Sequence, residues 1–337
     1  MRKKSLYIIA EAGVNHGGNL STALKLVDIA FEAKADCVKF QAFRAGELVT
    51  RLAEQTGYQK KNVKEKSQYE MLLKYELKEE EFRKIKFYCD KKNIDFLVTP
   101  FSPKWVRFLY DLGIKFLKIG SGNIRSLELL KEIGKTKLPV ILSAGMSSID
   151  DIQKALHVLR ANGNRNLTIL HCNTSYPVQL CDVNLFTMHL LKEKFHVPVG
   201  FSDHTVETIT GQIAVAAGAS MLEKHFTIDK TLPGPDHRMS LSPEELKEYI
   251  YRAREGCIIC GVKEKIILEE EKKIKELVLT SLVSKRFIKK GEIITYDMLT
   301  EKRPSNGISP MDIKNVIGKI AIKDIEADNV LFYDYLG

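Results

Sequence analysis

Residues 199–227 read VGFSDHTVETITGQIAVAAGASMLEKHFT. A short apolar run ends in the polar residues Ser202, Asp203 and His204, an Ala-rich apolar stretch follows, and a second short run ends at Glu223, Lys224 and His225. Short buried strand, crossover, short buried strand is the sequence form of a parallel β-α-β unit. Glu223 and His225 are two apart and therefore share one face of the strand end. Imidazoles arriving from two neighbouring strand ends, with carboxylates close by and no cysteine in register, suit a divalent metal with open coordination positions. Two histidines satisfied at helix starts are the plainer alternative, and the rest of the chain decides between them.

Working outward, short apolar runs alternate with helix-length amphipathic segments from the start to about residue 260. Eight runs read as strands: Leu6–Glu11, Asp36–Gln41, Asp95–Thr99, Phe116–Ile119, Val140–Ser143, Leu167–His171, Val197–Phe201 and Ser220–Glu223. Eight parallel strands close a TIM (β/α)8 barrel, an α/β fold of about 250 residues. Pro198 is tolerable only at a strand's beginning, where a missing N–H need not break the ladder. Helices are expected over Thr22–Ala33, Glu79–Lys91, Ile149–Leu159 and Pro243–Arg254, with caps at Asn19-Leu20-Ser21 and Ser147-Ser148. The connection from Phe43 to about Ser67 is long, polar and lysine-rich, and it follows the second strand. That places it over the face where barrel active sites are built, as a lid or as a mobile surface loop.

The 337 residues divide by texture into a barrel domain at 1–262, a charged linker at 263–278 and a small β-rich domain at 279–337. The net charge of +9 is spread through helices in which lysine and glutamate alternate. This reads as a solvated surface that attracts anions, with no nucleic-acid or membrane partner. Six scattered cysteines suggest reduced thiols and a cytoplasmic enzyme, and Cys257-Ile258-Ile259-Cys260 has no second pair to make a zinc site. The opening MRKKSLYIIAEAG holds too short an apolar run for a secretory signal.

In a closed parallel barrel all strand C-termini converge on one face, so the polar residues there define the site. They are Glu11, Asn15 and His16; Lys39 and Gln41; Thr99 and Ser102; Lys118, Ser121 and Asn123; Ser143; His171, Asn173, Thr174 and Tyr176; Ser202, Asp203 and His204; and Glu223, His225 and Asp236. Lysines at strand ends need an anion or a carboxylate beside them. Lys39 and Lys118, with small hydroxyls and the Gly120-Ser121-Gly122 turn, describe a phosphate or carboxylate site, although pairing with Glu11 and Glu223 is the alternative. Glu11 and Asp236 are the candidates for proton transfer.

Ten ordered motifs, IIAEAGVNHGG, VKFQ, TPFS, KIGSG, LSAGM, LHCNTSYP, GFSDHT, EKHFT, GPDH and KRPSNGI, span nearly the whole chain. In that order they resemble the bacterial sialic acid synthases, which condense phosphoenolpyruvate with an N-acylated amino sugar. The resemblance implies a TIM barrel followed by a type III antifreeze-like SAF domain, in a domain-swapped cytoplasmic homodimer. It further implies that His204 and His225 bind a divalent metal, commonly Mn2+, with Mg2+ or Co2+ as alternatives. Lys39, Thr99, Lys118, Ser121, Ser143 and Ser202 would hold phosphoenolpyruvate, while Gln41, Tyr176, Asp236 and Arg303, the last from the other subunit, would contact the sugar.

The enol carbon of phosphoenolpyruvate would attack a metal-polarised aldehyde, water would add at the next carbon, and phosphate would depart with its bridging oxygen. Glu11 would manage the water's protons, and the two lysines would stabilise the departing charge. Two positions depart from the pattern. Asn123 stands where many relatives carry an acidic residue, and Asn173-Thr174 inverts an order seen in some members; both bear on the acceptor sugar. N-acetylmannosamine, giving N-acetylneuraminate, is the first reading. A 2,4-diacetamido-2,4,6-trideoxyhexose, giving N,N'-diacetyllegionaminate or pseudaminate, is the alternative, and a catalytically inactive sugar-binding protein is the rival of a different class.

Overall fold

The computed structural model describes residues 6–337. The basic Met1–Ser5 start, part of the stretch read as unsuited to a secretory signal, lies outside the described residues. The chain forms two compact units, one ending at Val262 and the other running from Lys263 to Gly337.

The first unit holds eight strands: β1 (Tyr7–Gly13), β2 (Cys37–Ala42), β3 (Asp95–Pro100), β4 (Leu117–Ile119), β5 (Val140–Ser143), β6 (Leu167–Cys172), β7 (Val199–Asp203) and β8 (Met221–His225). Its helices are α1 (Leu20–Glu32), α2 (Ala45–Leu48), α3 (Gly57–Asn62), α4 (Gln68–Leu73), α5 (Glu79–Lys92), α6 (Pro103–Asp111), α7 (Leu127–Thr136), α8 (Ile149–Ala161), α9 (Thr187–Phe195), α10 (Thr210–Ala216) and α11 (Pro243–Cys260). The sheet runs β3-β2-β1-β8-β7-β6-β5-β4, and every paired neighbour is parallel. β3 and β4 lie side by side at the seam, making a nearly closed TIM-like barrel.

Strand pleating sorts the core into two parts. Residues such as Ile8, Phe40, Val98 and Leu222 face outward into the helix layer, where α1, α5 and α11 bury Leu26, Phe82 and Leu246. Ile9, Cys37, Leu97, Ile141 and Leu170 fill the barrel's lumen. The next inward positions along the same strands, two residues on, are Glu11, Lys39, Thr99, Ser143 and Cys172. An apolar plug thus supports a polar rim.

Several expectations shift. Pro198 precedes β7, which starts at Val199 and extends through Ser202 to Asp203, while β8 reaches His225. The two strand ends therefore carry their polar residues on the ladder itself. α1 begins under an Asn19 cap that accepts from the Thr22 N–H, and Ser148 caps α8 in the same way. α11 continues past Arg254 to Cys260, so the CxxC lies on its last turns. The 43–67 connection is a packed element. It contains α2 and α3, runs into α4, and buries Phe43 and Ala45 with Met71, Leu72 and Tyr75 in a small core of its own. No described helix is long and apolar enough to cross a membrane, and all six cysteines are free.

In the second unit α12 (Glu269–Val278) occupies the charged run, and β9 (Ser281–Ser284) pairs antiparallel with β10 (Leu299–Lys302). Isolated antiparallel bridges join Val283 to Val330 and Ile288 to Ile325. Around them Leu282, Ile288, Ile294, Val316 and Leu331 form a separate core.

Candidate active site

At the C-terminal rim of the barrel two lysines and two carboxylates interlock. Lys39 Nζ lies 3.0 Å from Glu11 Oε1 and 3.5 Å from Glu223 Oε2. Lys118 Nζ lies 3.6 Å from Glu223 Oε1 and donates to Ser143 Oγ at 2.7 Å. Ser202 Oγ donates to Glu223 Oε1 at 2.9 Å, Gln41 Nε2 donates to Glu11 Oε1 at 3.1 Å, and Lys39 Nζ donates to Thr99 Oγ1 at 3.2 Å. Register explains the meeting: Glu11 pairs with Lys39 on one side and with His225 on the other, and Ser202 pairs with Glu223.

All four charged side chains are buried, and their charges balance. The lysines therefore already have carboxylate partners. Their presence alone does not demand an anion. Burial opposes charge on Lys39, but Glu11 and Glu223 outweigh it and hold its pKa above the ordinary value; on Lys118 burial prevails and lowers it. Glu11 is pushed up by burial against the pull of Lys39. Glu223 resists burial because Lys118 and Lys39 flank it, and its pKa is held down. Glu11 Oε2 is buried with no hydrogen-bond partner.

Beside this quartet stand three rings. Those of His204 and His225 have centroids 5.5 Å apart, and the Tyr176 ring lies 4.3 Å from that of His204. His204 Nδ1 donates to the Asn173 carbonyl at 2.7 Å, so the neutral ring keeps its lone pair on Nε2, 3.3 Å from Tyr176 Oη. His225 Nδ1 is buried without a hydrogen-bond partner, and burial together with His204 and Lys39 pushes this imidazole well below its ordinary pKa. Burial opposes charge on His204, but Cys172 and the Asn173 carbonyl outweigh it and hold its pKa above the ordinary value; in its neutral Nδ1–H tautomer the ring offers the Nε2 lone pair, and with His225 it makes a donor pair that fits a divalent cation. Among the described residues no group of three or more His, Cys, Asp or Glu converges as a metal cage. The two rings would be the whole protein contribution, leaving the remaining positions to water and substrate.

Cys172 was missed by the reading of β6 as ending at His171. Its Sγ lies 3.7 Å from both His204 Nδ1 and Ser121 Oγ, against the expectation of no cysteine in register. Ser121 Oγ accepts from the Gly145 N–H at 3.0 Å. A Cβ on Gly145 would sit 2.2 Å from Thr174 Oγ1 and 2.8 Å from Ser121 Oγ, so only glycine lets these groups close up.

The rim encloses an inner cavity of about 160 Å³ lined by the quartet, Thr99, Ser121, Ser143, Ser202 and the two histidines. An outer cavity of about 980 Å³ shares Gln41, Phe101, Thr174 and Tyr176 with it. Asn123 lines the outer cavity, joined by residues the sequence did not single out: Gln59, Asn62 and Gln68 from the α3–α4 region, and Arg238 and Met239. Asp236 is buried in an adjoining cavity of about 130 Å³ with Tyr75, Tyr176 and His225; burial, then Glu11, raises its pKa to about 7.

Several expected residues lie elsewhere. Ser102 Oγ donates to Glu47 at 2.9 Å, His16 Nδ1 accepts from the Gly18 N–H at 3.0 Å beside a separate cavity, and Asp203 faces the helix layer. Asn173 turns its side chain to the Asp182 carbonyl at 2.9 Å and offers the site only its backbone. His171 faces the helix layer, stacked on Phe201 and donating from Nε2 to the Val183 carbonyl. Asn15 is structural, with Nδ2 on the Phe226 carbonyl and Ser240 Oγ. Arg303, expected to act from the other subunit, belongs to the second unit and is exposed there.

Comparison with known proteins places the whole chain. The NeuB family matches residues 26–265, and the SAF domain matches residues 280–336. The chain belongs to the NeuB family. It is 44% identical to N,N'-diacetyllegionaminic acid synthase of Campylobacter jejuni, over 98% of this chain and 99% of that protein. It is 39% identical to the Legionella pneumophila protein of the same name, over 98% and 94%. Among solved structures, N-acetylneuraminic acid synthetase from Leptospira borgpetersenii in complex with citrate superposes with a TM-score of 0.72 at 34% identity, over 80% of this chain and 90% of that one. These relatives support a nonulosonate synthase.

Proposed function

We propose that this NeuB-family enzyme condenses phosphoenolpyruvate with the open-chain form of a 2,4-diacetamido-2,4,6-trideoxyhexose, releasing phosphate and an N,N'-diacetyllegionaminate-type product. The observation that carries this reading is the contrast between a charged inner cavity and an outer cavity with no carboxylate in its described lining. Phe43, Leu48, Val49, Leu72, Phe101, Met146 and Met239 give the outer cavity apolar walls, and the side-chain amides of Gln41, Gln59, Asn62, Gln68 and Asn123 supply paired donors and acceptors. Amides and methyl-sized apolar surface suit acetamido groups and a deoxy carbon better than the hydroxyl-rich N-acetylmannosamine. The names of the Campylobacter and Legionella relatives point the same way. This reading prefers the alternative acceptor over the first.

Lys39 and Lys118 hold the carboxylate and phosphate of phosphoenolpyruvate over Thr99, Ser121, Ser143 and Ser202. The enol carbon bonds to the sugar's aldehyde carbon, whose oxygen takes up a proton. A divalent cation such as Mn2+, when bound by His204 and His225, supplies Lewis-acid polarisation of that aldehyde. Positive charge develops at the adjacent carbon, where water adds. Glu11 takes one of the water's protons at its unpartnered Oε2, balancing the proton taken up by the aldehyde oxygen. The carbon–oxygen bond to phosphate then breaks as the new hydroxyl passes its remaining proton to the departing phosphate, leaving a ketone, and the phosphate leaves beside the two ammonium groups. Glu223, clamped between the lysines, remains ionised as their counter-ion.

The test is phosphate release from phosphoenolpyruvate with Mn2+, with the product identified by mass. Release with a diacetamido sugar is expected. No release with any N-acylated amino sugar would sink the proposal.

A further inference from the structure

One rung beyond the site, Asp203 of β7 stands opposite Lys224 of β8. Strand alternation sends the preceding pair, Ser202 and Glu223, into the barrel and this pair outward toward the helices. Both side chains are fully buried, with Nζ and Oδ1 3.0 Å apart. Beyond each other, the side chains of the pair reach the segment that carries His204 and the helices behind it. Lys224 Nζ donates to the Thr205 carbonyl at 2.7 Å and to Thr205 Oγ1 at 3.0 Å. Asp203 Oδ1 accepts from Thr205 N at 2.9 Å and from Thr205 Oγ1 at 2.8 Å, and Oδ2 accepts from Thr210 Oγ1 at the start of α10. Lys224 Nζ also lies 5.3 Å from the centre of the Tyr249 ring of α11.

The covalent neighbours make this more than a core salt bridge. His204 lies between Asp203 and Thr205, and His225 follows Lys224. One ion pair thus grips the chain directly beside each of the two imidazoles. An apolar pair of similar volume is commonly as stable as a buried ion pair, whereas an ion pair fixes direction and register.

We propose that Asp203, Lys224 and Thr205 are positioning residues that index the ends of β7 and β8 against each other. They thereby set the separation of His204 and His225 and hold His204 where its Nδ1–H meets the Asn173 carbonyl. The proposal concerns this ring geometry, and it rests on the reading of the two histidines as metal ligands only for its second readout.

The experiment compares Thr205→Val, Thr205→Ser, Lys224→Met and the wild-type full chain by histidine 15N NMR and by electron paramagnetic resonance titration with Mn2+. In the wild type, His204 is expected as the Nδ1–H tautomer. Thr205→Val and Lys224→Met are expected to mix its tautomers and weaken Mn2+ binding at least about tenfold with the far-ultraviolet dichroism retained, while Thr205→Ser, which keeps the hydroxyl, behaves as wild type. Folded Thr205→Val with a wild-type His204 signal and wild-type Mn2+ affinity would overturn the proposal. So would failure of every variant except Thr205→Ser to fold, because the residues would then be needed for folding rather than position. If the wild type binds no Mn2+, the metal reading fails and the tautomer signals alone decide the positioning role.

Discussion

The inner and outer cavities of the barrel rim are built on opposite principles. The inner one is assembled from strand positions two residues apart, and its charges are mutually neutralised: Glu11, Lys39, Lys118 and Glu223 interlock within 3.6 Å at every ion contact. The outer one is assembled from irregular segments, with amides and apolar walls and, among its described lining, one charged residue, Arg238. Rigid strand ends can hold charges that would be intolerable if they moved, because a buried ammonium without its partner carries the full desolvation cost. A wall made by packed short helices can change its side chains without disturbing that balance. The proposed function assigns the reaction to the inner cavity and the choice of sugar to the outer.

The sharpest way to break this division is Lys39→Met. It leaves Glu11 and Glu223 short of a buried partner, and stability should fall by about 3–5 kcal/mol in chemical denaturation. Phosphate release should fall about 10³-fold, and the loss should be the same whichever sugar is offered. A sugar-dependent loss would blur the two cavities into one. His225→Ala comes next: chelator-sensitive activity should vanish, and activity persisting at the wild-type level would remove this ring from the metal site.

Asn123→Glu probes the outer wall. It should lower kcat/KM for the diacetamido sugar about tenfold and raise it for N-acetylmannosamine, leaving KM for phosphoenolpyruvate within about twofold. The smallest effect is expected at Asp236, whose pKa is raised from 3.8 to about 7. Between those values the unfolded chain is deprotonated while the native chain keeps its proton, so the wild type loses stability as pH rises through this window. Asp236→Asn should escape that loss. Its stability advantage in denaturant titrations should widen from about pH 4 to pH 7 and then level off; a gap that narrows with pH would contradict the raised value.

The same contrast explains what the sequence made legible. Lys39 with Gln41, and Glu223 with His225, could be placed because strand pleating repeats every two residues. Parity also marks the failures. Ending β6 at His171 put an outward residue in the site, whereas counting on from the inward Leu170 reaches Cys172. Asn173 failed for a different reason: past the strand end its side chain follows the loop, toward the Asp182 carbonyl. Pro198 marked the beginning of β7, which starts one residue later with the Pro198 carbonyl still accepting from the Ile169 N–H, and β7 and β8 both reach two residues further than their apolar runs suggest. The outer wall had no period to read. Gln59, Asn62 and Gln68 sit in a lysine-rich stretch that looks like a solvated loop, and it packs only because Phe43 and Ala45 meet Met71, Leu72 and Tyr75 from beyond its end.

The most direct test of the division between a charged floor that reacts and an amide-lined wall that selects is a ratio. It is kcat/KM for phosphoenolpyruvate-dependent phosphate release with a 2,4-diacetamido-2,4,6-trideoxyhexose over that with N-acetylmannosamine, measured in parallel with Mn2+. A ratio of about 10² or more is predicted. A ratio at or below one would contradict the account.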